Sequence, residues 1–271
     1  MLATQSVPRP RSSPVTFEAG VPRRWFADLA VASHIVNGVN LLFPAGERFF
    51  VRSVHHYFDQ IQDPLLRDQV KGFFGQEGRH ANAHERFFEV LESQGYEIAP
   101  FIESYERFVY GKIEPRVPPE LRLAVTVALE HFTAILAENA LSDGLLELAH
   151  PTMRGLLLWH AAEEIEHRSV AFDVLKAVAP SYRLRMAGLA LATAALGGYW
   201  IAATGMFLKQ DWERGERGQV RAFRKVKRPE GTIAQRVFLR GILEYIRPDF
   251  HPSQNAVDGL ATEYLTKMGI A

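Results

Sequence analysis

The stretch DPLLRDQVKGFFGQEGRHANAH, Asp63 to His84, decides the fold. Asp63 and Pro64 read as the N-cap and first residue of a long helix, which is expected to end near Gly95, where glycine can take a left-handed cap. Within it Glu77 and His80 are three residues apart. That spacing is about 300° around a helix, so both side chains leave one face and can reach the same ion. A second Glu-x-x-His pair, Glu164 and His167, lies in AAEEIEHRSVAFDV, Ala161 to Val174. Each pair has an unpaired glutamate one hairpin upstream: Glu47 for the first, Glu130 or Glu138 for the second. Two such helices, with one glutamate from each of two others, supply four carboxylates and two imidazoles to the middle of a four-helix bundle, enough for two metal ions.

Working outward, proline and glycine divide the chain into helices, and no strand pattern of useful length appears. Expected segments are Trp25 to Phe43, a helix from Pro44 through Glu47 toward Gln62, and the long helix carrying His84. A shorter one covers Phe101 to Lys112. After the break Glu114 to Pro119 come a helix holding Glu130 and Glu138 and, from Pro151, one holding His160, Glu164 and His167, which should run to Pro180 and Ser181. The expected fold is all-α: a ferritin-like four-helix bundle over 25–180, a flexible arm over 1–24 that is rich in Pro, Ser and Arg, and a C-terminal helical extension over 181–271. Facing residues should lie at equal depth about a turn. Glu47 and Glu77 centre on Gln62, beside the Asp63-Pro64 turn. Glu130 and Glu164 centre on Glu147, short of Pro151, whereas Glu138 centres on that proline. On this count alone Glu138 is slightly preferred, unless the helix ends early at Ser142-Asp143-Gly144.

Composition narrows the chemistry. The 271 residues are 47% hydrophobic, ample for a core, and 31 basic residues balance 31 acidic ones, so nothing in the overall charge recommends nucleic acid as a partner. There is no cysteine, which excludes disulfides, thiolate ligands, iron–sulfur clusters and cysteine nucleophiles. Any metal must be held by oxygen and nitrogen, which suits iron first, with manganese or zinc as substitutes. The first two dozen residues lack an apolar run, so a cytoplasmic protein is expected.

Roughly one Glu-x-x-His pair is expected by chance in such a chain, and three occur. The third, Glu147 and His150, sits at a helix end with no glutamate a hairpin upstream and is taken as accidental. The other two lie mid-helix among aliphatic and aromatic neighbours, where charge is costly to bury without a metal. His84 and His160 extend the donor stripe by one turn, as ligands or as groups that orient ligand carboxylates. Glu163 reads as an orienting or solvated residue, His131, His55 and His56 as core or surface residues, and Tyr57 and Tyr105 as packing residues or redox relays, which the sequence does not separate.

FPAGERFF at Phe43 to Phe50, IQDPLLRDQVKGFFGQEGRHANAH at Ile61 to His84, ALEHFTA at Ala128 to Ala134 and the Ala161 to Val174 stretch closely resemble the bacterial family of predicted metal-dependent hydrolases. The resemblance implies the metal ligands Glu47, Glu77, His80, Glu130, Glu164 and His167, favouring Glu130 over Glu138. The spacing of His160, Glu164 and His167 is similar to that of di-iron arylamine N-oxygenases, which implies an added histidine ligand at His160.

Met186 to Leu208 holds 23 residues without a charge. As a helix it would be about 34 Å long, enough to cross a bilayer core. Small residues at Ala190, Ala194, Gly198 and Ala202 would allow close approach of another helix, in a membrane, in a soluble core or in a homodimer seam. The basic run RAFRKVKR, Arg221 to Arg228, could touch anionic headgroups. Thr232 to Ala271 reads as two further amphipathic helices joined by a Pro-rich link at Pro248 to Pro252. These features lead to the expectation of a dinuclear iron oxidase or oxygenase acting on an apolar small molecule with an external electron donor. A two-metal hydrolase is the first alternative, and a non-catalytic metal-binding or ferroxidase-like protein the second.

Overall fold

The computed structural model describes residues 6–18, 20–142, 144–217, 232 and 234–270. Ten α-helices are labelled in chain order among them: α1 (Ala30–Asn40), α2 (Phe43–His55), α3 (Pro64–Ser93), α4 (Ala99–Tyr105), α5 (Pro119–Ser142), α6 (Pro151–His167), α7 (Val170–Val178), α8 (Tyr182–Glu213), α9 (Arg240–Tyr245) and α10 (Asp258–Lys267). The fold is all-α. The described residues contain no strand, only one antiparallel bridge between Phe26 and Ala149.

Helix α3 begins as its sequence dictates: the Asp63 carboxylate accepts from Leu65 N at 2.9 Å, with Pro64 in the first turn. It ends where Gly95 turns left-handed at φ +84° and Tyr96 N reaches back to Leu91 O at 3.1 Å. Helix α2 packs on α3, α5 on α6, α2 on α5 and α3 on α6, closing a ring of four helices. The core on one side of the donor level contains Phe73, Val70, Leu123 and Phe132, and on the other Phe87, Leu91, Met153 and Trp159. Around the ring lie α8, packed along both α5 and α1, and α10 against α6.

Several expectations are corrected. Trp25 to Leu29 is not helical, because Phe26 pairs with Ala149 while Ala27 and Asp28 take positive φ. The helix from Pro151 does not run unbroken to Pro180. It stops at His167 and resumes at Val170, and the buried Arg168 at the break bonds to Ile165 O at 2.6 Å and to Asp258 at 2.6 and 3.0 Å. Residues 6–18, expected within a flexible arm, lie against the bundle. Gly72 and Gly75 on α3 make the seat, since a Cβ at either would collide with Pro8 or Pro10. Arg11 then bonds to Glu166 at 2.7 and 3.0 Å and, through its backbone N–H, to Glu163 at 2.9 Å.

The apolar segment 186–208 lies within α8. By length and composition this helix could cross a membrane, and 28% of its most apolar window is buried in the chain. Its buried side carries Leu189, Ala192, Trp200, Ala203 and Phe207, with Gly188 so close to α5 that a Cβ would strike Ala124. Below the apolar window, buried Asp211 binds His34 at 2.7 Å, Tyr96 at 2.9 Å and Arg23 at 2.7 Å, tying α8 to α1 and to the chain after α3. The small-residue stripe is not this seam: Ala190, Ala194, Gly198 and Ala202 all face outward. The basic run Arg221 to Arg228 lies outside the described residues.

Candidate metal centre

Glu47 comes from α2, Glu77, His80 and His84 from α3, Glu130 from α5, and His160, Glu163, Glu164 and His167 from α6; all nine are buried. Four overlapping triads place donor atoms within 4.8 Å of one another: Glu47–His84–His160, His80–His160–Glu164, Glu47–Glu77–His80 and Glu77–Glu164–His167. These buried groups could hold metal ions. Glu130 joins through His167, whose Nε2 lies 3.4 Å from its Oε2.

Glu138 does not join. It faces away from the bundle centre, paired with Arg240 at 2.8 and 3.1 Å. Helix α5 stops at Ser142 and Gly144 turns left-handed at φ +63°, followed by a 3-10 turn over Leu145–Leu148. The turn is therefore centred near Glu147, the midpoint of Glu130 and Glu164, and not at Pro151.

Hydrogen bonds on the outer side of each imidazole fix which nitrogen faces inward. Gln76 Nε2 donates to Glu166 at 2.7 Å and to Arg9 O at 3.2 Å, so its Oε1 is the atom that accepts from His167 Nδ1 at 2.8 Å. That leaves the Nε2 lone pair of His167 aimed at Glu77 at 3.0 Å, Glu130 at 3.4 Å and Glu164 at 3.6 Å. His80 Nε2 is hydrogen-bonded to Glu163 at 3.0 Å, and its Nδ1 lies 3.8 Å from Glu164. Asn40 Nδ2 donates to Val36 O at 2.8 Å, so Asn40 Oδ1 accepts from His84 Nδ1 at 2.6 Å; His84 Nε2 then accepts from His160 Nδ1 at 2.6 Å. His160 Nε2 in turn points inward, 2.8 Å from Glu164 and 3.7 Å from Glu47. His84 thus orients His160, and Glu163 orients His80. Aromatic rings complete the walls: Trp159 edge-on to His80 at 5.0 Å, Phe73 to His167 at 5.1 Å and Phe43 to His160 at 4.9 Å.

Lone pairs of nitrogen and carboxylate oxygens facing one another in a dry interior repel unless a cation lies among them. Nine buried side-chain atoms of Glu47, Glu77, His80, Glu130, Glu164 and His167 lack a hydrogen-bond partner. Each of these six residues contributes at least one. Acid–base behaviour carries the same strain. Burial, reinforced by Glu77 and Glu164, raises Glu47 well above the usual carboxylate range, and burial also raises Glu77 and Glu130. Burial would raise Glu164 too, but His167 and His160 outweigh it and hold it low. Burial would lower His167, yet Glu164 and Glu130 push it well above an ordinary imidazole. Burial pushes Glu163 up to about 8 against the pull of Arg11. The residue set fits divalent metal ions: four carboxylates match their charge and neutral imidazoles complete the donors.

A cavity of about 270 Å³ adjoins the cluster, with Glu47 and Glu164 at its inner end and a lining that is otherwise mostly apolar. Tyr105 and Tyr110 also line it, their hydroxyls 2.6 Å apart. Burial raises both phenols, so they stay protonated. One donates to the other and the acceptor keeps a free hydrogen. Neither Asn40 nor Gln76 was anticipated from sequence, since an amide on a neighbouring helix leaves no periodic signal; nor was the Tyr110 contact.

The sequence pattern of the family described as predicted metal-dependent hydrolase matches residues 9–256. No curated protein and no solved structure matches the chain.

Proposed function

Taking as premise that the chain belongs to the predicted metal-dependent hydrolase family, we propose a dinuclear metal enzyme that hydrolyses a small, largely apolar substrate bound in the cavity beside the donor cluster. The nine unpartnered atoms, on six buried residues of which Glu47 and Glu164 line an apolar cavity, carry this reading. Glu47, Glu77, His80, Glu130, Glu164 and His167 would hold two ions, with His160 as a seventh donor through Nε2. Such ions, when bound, lower the pKa of a water and polarise the group it attacks.

The chain's own residues supply orientation and exclusion. Gln76, Glu163 and the Asn40–His84 pair lock three imidazoles with one nitrogen inward, so ligation costs little reorganisation. Phe43, Phe49 and Leu196 line a cavity that selects apolar substrate portions and admits little bulk water. The free hydroxyl hydrogen of the Tyr105–Tyr110 pair can donate to a polar substrate atom and so orient it. The family's description favours hydrolysis over the oxidative reaction expected from the motifs alone.

One observation keeps oxidation as a second reading. A nearly all-apolar cavity suits a substrate C–H or amine attacked by activated dioxygen, with electrons from an external donor; hydrolysis does not require such dryness. The two separate cleanly. Protein loaded with iron, manganese or zinc is given 4-nitrophenyl octanoate under argon. Chelator-sensitive release of nitrophenolate supports hydrolysis, whereas no anaerobic turnover together with oxygen uptake by the Fe(II) form would reverse the order. Iron uptake far above two ions per chain would instead indicate storage.

A further inference from the structure

We infer that the substrate carries a carboxylate, bound by Arg122 at the cavity mouth, while the bond to be hydrolysed lies toward its other, largely apolar end beside Glu47 and Glu164; this rests on the proposed site and names its substrate class. On α5, Arg122, Val125, Leu129 and Thr133 follow one another at spacings of three, four and four residues, and all four line the cavity. They form one helical stripe. Arg122 lies eight residues before Glu130, on the order of 12 Å along the helix axis at ~1.5 Å per residue. The cavity is thus a slot between a cation and a cluster of metal donors.

The cation is available. Glu114, the anion nearest to Arg122, is held by Arg52 through two hydrogen bonds of 3.0 and 2.7 Å. It lies 3.8 Å from Arg122. Among the described residues the Arg122 side chain makes no hydrogen bond, and its Nε is buried without a partner. Arg52 and Arg122 thus share Glu114, whose two hydrogen bonds both go to Arg52. A buried, unpartnered guanidinium nitrogen on a residue that lines an apolar cavity costs free energy until an acceptor reaches it, and a carboxylate is the acceptor whose geometry and charge fit best.

The surroundings set the orientation. Phe108 (50% exposed), Ile113 (43%) and Leu191 (47%) line the cavity and also meet solvent; Ile113 adjoins Glu114, the ion partner of Arg122, and Leu191 lies one turn from Gly188, which meets Ala124, so the mouth lies at the end of α5 where Arg122 sits. An amphipathic acid therefore enters tail first and keeps its charged head at the rim. At about 270 Å³ the space is near the lower bound for small-molecule pockets, roughly 300 Å³. It suits a medium-chain or aryl acid better than a full-length lipid.

The test is calorimetric titration of metal-loaded protein with octanoate and with octan-1-ol. Octanoate is expected to bind at least tenfold more tightly than octan-1-ol, Arg122→Gln to remove that preference, and Arg122→Lys to keep part of it. Equal affinities for acid and alcohol in the native protein would overturn the inference without recourse to any variant. So would unchanged octanoate binding by folded Arg122→Gln, which would mean that the acid sits on the metals. Metal content is read in the same samples. Loss of ions from the native protein would refute the metal assignment alone, because Arg122 touches none of the donors.

Discussion

Replacing Gln76 by Leu would test whether the outer hydrogen bonds set the metal affinity. Gln76 is fully buried and does three things: it accepts from His167 Nδ1 at 2.8 Å, donates to Glu166 at 2.7 Å and donates to Arg9 O at 3.2 Å. Leucine has nearly the same volume, so packing is preserved while all three bonds vanish. His167 then carries a buried N–H with no acceptor and its ring is free to turn. Loss of such a partner lowers metal affinity by about 10- to 100-fold, or roughly 1.4–2.7 kcal/mol. The metal-free fold should also lose roughly 2–4 kcal/mol, since each buried group left unpaired costs about 1–3 kcal/mol and Glu166 keeps Arg11. Gln76→Glu is the informative companion. It restores an acceptor for His167 while placing a carboxylate against Glu166, so it should bind metal within a few-fold of the native protein yet remain destabilised. Competition against a chromophoric chelator measures affinity, and denaturation of chelator-treated protein measures stability. Native affinity in Gln76→Leu, or equal losses of affinity in both variants, would refute the reasoning.

Three further outcomes are expected. Glu130→Gln should lose at least one ion on metal analysis, whereas Glu138→Gln, which breaks only a partly exposed pair with Arg240, should keep both and lose no more than about 1 kcal/mol in denaturation. His131, which donates to Gly241 O at 3.0 Å, is pushed down to about 4 by burial. The unfolded chain therefore binds a proton that the folded one refuses between about pH 6.5 and 4, and this contribution to stability, present above ~6.5, is lost as pH falls through that window, by about 3 kcal/mol. Denaturation midpoints from pH 7 to 4 should fall less steeply in His131→Gln. Gly72→Ala should force the arm off α3, because its Cβ meets the Pro8 carbonyl. Trypsin should then cut after Arg11 faster than in the native chain; an unchanged cleavage rate would show that the arm does not depend on that seat.

Much of this architecture can be read from punctuation. Asp63-Pro64, Pro119 and Pro151 mark helix starts through local chemistry, and the Glu-x-x-His pairs declare a face because three residues nearly complete a turn. What fails does so where the deciding contact is distant in sequence. Turn symmetry pointed to Glu138 because it assumed that α5 ran up to Pro151; a left-handed Gly144 ends it sooner. The stop between α6 and α7 is stabilised by Asp258, some ninety residues away. The stripe at Ala190 to Ala202 satisfies a packing spacing yet faces outward, since Gly188 and Ala192 take the contact with the bundle. Asn40 and Gln76 escape notice for the same reason: each acts on a histidine of another helix.

The most direct test of the central claim is metal content per chain after anaerobic reconstitution and removal of loosely bound ions, for the native protein, Glu77→Ala and Glu164→Ala. Two ions in the native chain and fewer in both variants, with helical circular dichroism retained, is the predicted result. Two tightly held ions in both variants, or none in the native protein, would contradict the account.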